Sequence, residues 1–142
     1  MSTEYWSVSG IGLEITNVTP EKIIEFVKNH SKDKQVLNDF NTISWNELEK
    51  AYNDYNYNSD YGVRSILSEI ISKETNLSIS YNVDCEDNRE YLLYIPKYPW
   101  QMSEKDFKLT TDAKLKNILE PYREEFDLKA DNIDYYEVYY FG

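Results

Sequence analysis

Cysteine and histidine occur once each in this chain, as Cys85 and His30. A single cysteine excludes an internal disulfide and fits a reducing cytosol. A single histidine excludes a multi-histidine metal site. The two counts together exclude a hydrolase triad unless a lysine serves as its base. The zinc-ligand spacings and the Asp-x-Asp-x-Asp-Gly calcium loop are missing, and neither a cofactor nor a metal is expected. No apolar run approaches the ~20 residues that a membrane helix needs. The opening Met-Ser-Thr-Glu lacks the basic and apolar regions of a signal peptide, so a cytoplasmic location and no membrane partner are expected.

Basic residues are also scarce. The chain has 142 residues, with 15 Lys and Arg against 26 Asp and Glu, for a net charge of −11. Arginine is present only as Arg64, Arg89 and Arg123. With no basic patch, direct binding of nucleic acid is disfavoured. A basic partner is favoured instead, although acidity also serves simple solubility. Hydrophobic residues make up 41% of the chain, which is globular rather than disordered. The length suits one domain over residues 1–142. Tyrosine is abundant, with 14 residues. Low-GC codon usage explains part of that excess.

The last ten residues, from Ile133 to Gly142, are rich in aromatic and β-branched side chains and read as a strand. A strand at a chain end must be tied into a sheet or it frays. Its best partner by composition is the opposite end, residues 4–15. There, Ser9-Gly10-Ile11-Gly12 lacks the third glycine and the Gly-Lys-Ser/Thr of a phosphate loop, so a β-bulge is expected. Thr19-Pro20-Glu21 opens a helix with a hydroxyl cap, a proline at the first position and an acid in the first turn. His30 follows it as ordinary helix-end chemistry. Val36, Leu37 and Phe40 suggest a short helix. Ser44-Trp45-Asn46-Glu47 has capping-box spacing for another, followed by a polar, tyrosine-laced stretch over residues 53–60 that reads as a frayed helix end and loop.

Val63, Ile66, Leu67, Ile70 and Ile71 give the clearest helix, over residues 61–74, capped by Ser59 or Asp60. Leu77, Ile79, Tyr81, Val83 and Cys85 alternate with polar residues, predicting a strand with one buried face and Cys85 on that face as a small core residue. A turn at Glu86-Asp-Asn-Arg89 leads into a returning strand over residues 91–98. Thr110-Thr111-Asp112 caps a last helix, which Pro121 should kink or stop. The expected product is a single α+β domain, a mostly antiparallel four-stranded sheet with helices packed on one face.

Two acidic clusters are the candidate partner-binding residues. One is the hairpin turn, with Asp84, Glu86, Asp87 and Glu90 against Arg89. The other is C-terminal, with Glu120, Glu124, Glu125, Asp127, Asp131, Asp134 and Glu137 against Arg123 and Lys129. Like charges at this density favour either full solvation or a basic partner. No catalytic residue stands out.

In size, acidity, tyrosine content and the stretches Tyr5-Trp6-Ser7-Val8-Ser9-Gly10 and Tyr98-Pro99-Trp100, the chain resembles small acidic phage and prophage proteins of low-GC bacteria, including anti-CRISPR and other anti-defence proteins. That resemblance implies a non-catalytic inhibitor in a bacterial host cell. It would occupy the basic surface of a nucleic-acid-binding defence protein, with carboxylates imitating phosphates. Immunity against a basic nuclease toxin uses the same physics. A third possibility is a ligand-binding sponge or enzyme with a tyrosine-lined pocket.

Overall fold

A computed structural model describes residues 5–55, 62–96, 100, 103–104 and 110–141. In chain order these form β1 (Tyr5–Glu14), α1 (Pro20–His30), α2 (Lys34–Thr42), α3 (Trp45–Tyr55), α4 (Ile66–Thr75), β2 (Ile79–Val83), β3 (Glu90–Tyr94), α5 (Asp112–Glu125) and β4 (Asp134–Phe141). Short 3-10 turns precede α4 and β4. The sheet order is β2-β3-β1-β4, with every neighbouring pair antiparallel. Both terminal segments therefore lie side by side in one sheet. Trp6 pairs with Tyr140 and Gly12 with Asp134. The hairpin β2–β3 is antiparallel, with Ile79 opposite Tyr94.

The helices form for local reasons. Thr19 Oγ1 accepts the Lys22 N–H at 3.3 Å at the start of α1, next to Pro20. The Asp33 carboxylate accepts the Gln35 N–H at 2.9 Å at the start of α2. Ser44 Oγ accepts the Glu47 N–H at 3.4 Å in α3. The fourth helix starts later than its apolar spacing suggests. Gly62, at φ 64°, turns the chain into a 3-10 turn over Val63–Ser65, and α-helix begins only at Ile66. Its expected caps, Ser59 and Asp60, lie outside the described residues, as do residues 56–60 of the expected loop and residues 97–98 of the expected returning strand, which ends at Tyr94. α4 ends on Asn76 in the left-handed conformation.

Pro121 neither stops nor shortens α5, which runs through it to Glu125. Proline removes the bond to the Asn117 carbonyl, but Asn117 and Pro121 both face solvent, so water can satisfy that oxygen. Leu115, Leu119, Tyr122 and Phe126 remain buried along the other face and hold the helix in place.

α4 packs on β2 and α5 on β1. Between helices and sheet lies the main core, including Leu13, Ile15, Phe26, Leu67, Ile71, Leu92 and Leu119. The opposite sheet face has a second core of Tyr91, Leu93 and Val138, flanked by Val8, Ile95, Tyr136 and Tyr140. It forms because the sheet curls until its two outer strands meet. Tyr140, on β4, donates its hydroxyl to Asn82 Oδ1, on β2, at 2.6 Å. The Cys85 N–H reaches the Tyr139 carbonyl at 2.9 Å.

The curl also explains the glycines of β1. The expected bulge is not there: the registers against β3 and β4 run without interruption. A Cβ on Gly10 would instead fall within 3.0 Å of the Tyr94 carbonyl, and one on Gly12 within 3.0 Å of the Leu92 carbonyl. β3 bends over β1 so tightly that only hydrogen fits at both positions.

Cys85 is also placed differently from expectation. β2 ends at Val83, so Cys85 sits half-buried in the following turn. Asp84 is the buried residue there, at 5% exposure.

Candidate partner-binding surface

The eleven predicted carboxylates separate into groups with different work. Asp84 is spent on the fold. Its Oδ1 accepts the N–H groups of Glu86 at 2.8 Å and Asp87 at 3.3 Å, and its Oδ2 accepts that of Tyr139 at 3.1 Å. Glu90 is also internal. It pairs with Arg64 Nε at 3.1 Å and accepts the Tyr81 hydroxyl. Arg64 in turn donates to the carbonyls of Ile15 at 2.6 Å and Val18 at 3.0 Å, which fixes the turn after β1. Breaking such a half-buried pair leaves an uncompensated charge, so both partners serve stability.

The α5 acids are largely engaged. Glu120 holds Arg123, whose guanidinium lowers the Glu120 pKa. Glu124 lies 3.6 Å from the same guanidinium. Glu125 reaches the His30 ring at 2.7 Å, and Asp127 takes Lys22 at 2.7 Å. Asp87 pairs with Arg89 at 3.6 Å. Asp131, Asp134, Glu137 and Glu86 are exposed, and none of them makes an ion pair among the described residues.

Two of those remaining acids, Glu86 and Glu137, converge where sequence spacing does not place them, whereas Asp131 and Asp134 act on Tyr136 on the other sheet face. The Asp84 and Cys85 bonds to Tyr139 bring the hairpin turn against β4. Glu137 accepts a hydrogen bond from Tyr139 and raises its pKa, and the charges of Glu86 and Asp84 add to the effect. The predicted turn and the last strand are therefore one surface, while the α5 acids lie on another.

The helices cover β1 and β2, and the same sheet face stays open along β4. Alternation places Tyr135, Glu137 and Tyr139 together on it. Register sets Ser9 beside Glu137 and Ser7 beside Tyr139. Tyr135 is 59% exposed and Tyr139 38%, and the Tyr135 hydroxyl donates to Ser9 Oγ at 2.7 Å. The result is an open surface of two tyrosines, two serines and the unpaired carboxylates of Glu137 and Glu86. Tyr and Ser are the residues that binding loops favour, since Tyr gives large contact area at low entropic cost and Ser adapts its hydrogen bonds. Sequence reading located Glu137 but missed Ser7, Ser9 and Tyr139 as its neighbours. Only the β1–β4 register could have shown them.

A second feature lies on the helices. His30 is the last residue of α1 and stands between Glu74 of α4 and Glu125 of α5. It borders a cleft of about 320 Å³ between the α1–α2 corner and α4, floored by Val36, Ile66 and Ile70. No tyrosine lines this cleft. Among the described residues, no group of three or more His, Cys, Asp and Glu is arranged to hold a metal ion, and no helix is long and apolar enough to cross a membrane.

Fold and surface together define an α+β domain with a curled antiparallel sheet and an open acidic–aromatic strand face. No known protein family, curated protein or solved structure matches this chain.

Proposed function

We propose that this protein acts without catalysis, by occupying the basic, nucleic-acid-binding surface of a partner protein in the bacterial cytoplasm, as an inhibitor of a defence protein would. The observation that carries this reading is the open face of β4. Exposed Tyr135 and Tyr139 flank Glu137 there, and Glu86 stands alongside, with no base pairing either carboxylate among the described residues. The tyrosines supply apolar anchors of the kind that carry affinity. The carboxylates steer a basic surface and set the association rate.

The footprint differs from the one expected from sequence. Glu125 and Asp127 are held by His30 and Lys22, and Asp84 and Glu90 are internal. The active acids in this reading are Glu86 and Glu137.

The test starts with recovery of the partner from a bacterial lysate. Association is then measured against ionic strength for the wild type and for the Glu86→Lys, Glu137→Lys double variant. The variant should associate at least tenfold more slowly at low salt. The difference should shrink at 1 M, where the Debye length is ~3 Å. Duplex DNA should compete with the wild type for the partner. Equal rates at every salt concentration, or binding unaffected by DNA, would refute the reading.

A further inference from the structure

The surroundings of His30 impose a protonation requirement. Nδ1 lies 2.9 Å from Glu74 Oε2 and 3.1 Å from Oε1. Nε2 lies 2.7 Å from Glu125 Oε2 and 2.8 Å from Oε1. Carboxylates only accept, so both ring nitrogens must donate, and only the imidazolium does that. The ring stacks on Phe26 with centroids 4.1 Å apart, and its side chain is 23% exposed. The two carboxylates are not equally dependent on it. Glu74 also accepts the Tyr122 hydroxyl at 2.9 Å, whereas Glu125 makes no other hydrogen bond among the described residues.

We propose that His30 is a pH-operated latch on the cleft between the α1–α2 corner and α4. Doubly protonated, it ties α1 to α4 through Glu74 and to α5 through Glu125. When it loses a proton, the arrangement of least cost leaves every carboxylate with a donor. The ring keeps Nε2–H on Glu125, Tyr122 keeps Glu74, and the bare Nδ1 repels Glu74. The released tie is therefore the one across the cleft, whose wall includes both His30 and Glu74.

Glu74 and Glu125 are the charged groups that act on the ring, and others border its surroundings from each element. From α4, Glu69 and Lys73 border the cleft, and from the α1–α2 corner Lys32 and Asp33 do so. On the α5 side, Asp127 is paired with Lys22 of α1. Partial burial opposes the ring's charge, but the hydrogen bonds to Glu74 and Glu125 outweigh it, and the His30 pKa is raised above its usual 6.5. A raised pKa fixes the sign. The contribution to stability is fully present below pH 6.5 and is lost as pH rises through the higher folded value.

As the chain's only histidine, His30 gives an unambiguous ring signal in NMR. Its titration midpoint should lie above 6.5. The neutral ring should carry its proton on Nε2, and the methyl signals of Val36, Ile66 and Ile70 should shift with the same midpoint. Between pH 6 and 9 the urea midpoint of the wild type should fall, while that of His30→Gln stays flatter. The chain's amino terminus titrates in both proteins and cancels in the difference. Tyr122→Phe should steepen the fall by removing Glu74's second donor.

A ring midpoint at or below 6.5, a neutral ring protonated on Nδ1, cleft methyls indifferent to pH, or equal falls for wild type and His30→Gln would each overturn the proposal. If His30→Gln does not fold, the ring and methyl titrations of the wild type decide alone.

Discussion

Replacing Gly12 by alanine tests the account of the curled sheet most directly. Gly12 sits in β1 between Leu93 of β3 and Asp134 of β4. An added Cβ would fall inside 3.0 Å of the Leu92 oxygen, 2.9 Å from the Leu92 carbonyl carbon and 2.8 Å from Leu93 Cδ2, where ordinary contact begins at 3.4 Å. The oxygen belongs to backbone and cannot rotate away. Leu92 and Leu93 are both 0% exposed, one in each core. β3 cannot retreat without opening both cores, and β4 holds β1 from the other side. Overpacking of this kind costs about 1–3 kcal/mol, and each ladder bond strained to relieve it costs roughly 1 kcal/mol more. The sum, on the order of 3–5 kcal/mol, is a large part of the ~5–15 kcal/mol that holds a typical domain together. At about 2–4 °C per kcal/mol, the melting temperature should fall by on the order of 10 °C. Urea and thermal denaturation followed by circular dichroism measure this, with Ser7→Ala on the same strand as a near-neutral control. A Gly12→Ala stability within about 0.5 kcal/mol of wild type, the range of ordinary surface substitutions, would refute the close-approach argument.

Two further outcomes follow from the hairpin turn. Asp84→Ala leaves the Glu86, Asp87 and Tyr139 N–H groups without their acceptor. It should cost about 2–3 kcal/mol, because hydrogen bonds to a charged acceptor contribute roughly 1.5–3 kcal/mol and this acceptor is buried. A native urea midpoint would contradict it. Cys85 should alkylate slowly at pH 7. Partial burial and the charge of Asp84 hold its thiol above the usual 9.0, with Glu86 and Asp87 adding to them, so the rate should climb only beyond that value. A fast reaction at neutral pH, typical of a free thiolate, would count against this placement.

The sequence by itself determined the elements and much of their assembly. Alternation in Leu77–Cys85 and the aromatic run at the C-terminus gave strands. The Thr19-Pro20 start and the 3.6-residue spacing at Ile66–Ile71 gave helices. Composition at the two ends gave the β1–β4 neighbourhood and the α+β class. All of these follow from side-chain periodicity and capping, which are local and are written in the order of residues.

What only the tertiary structure decided depends on distance through space. Gly10 and Gly12 read as a bulge because sequence shows a glycine but not the carbonyl that approaches it. Pro121 reads as a kink or a stop because the packing of Leu119, Tyr122 and Phe126 around it cannot be seen. Asp84 and Cys85 exchanged roles because the strand ends at Val83, where the turn folds against Tyr139. The eleven acids looked alike as letters. Folding sent Asp84 and Glu90 inside, gave Glu120, Glu125 and Asp127 to Arg123, His30 and Lys22, and left Glu86, Asp134 and Glu137 outward. A carboxylate's role is set by which cation or N–H lies within about 3 Å of it, and residues 44 and 95 positions away in the chain supply that for His30.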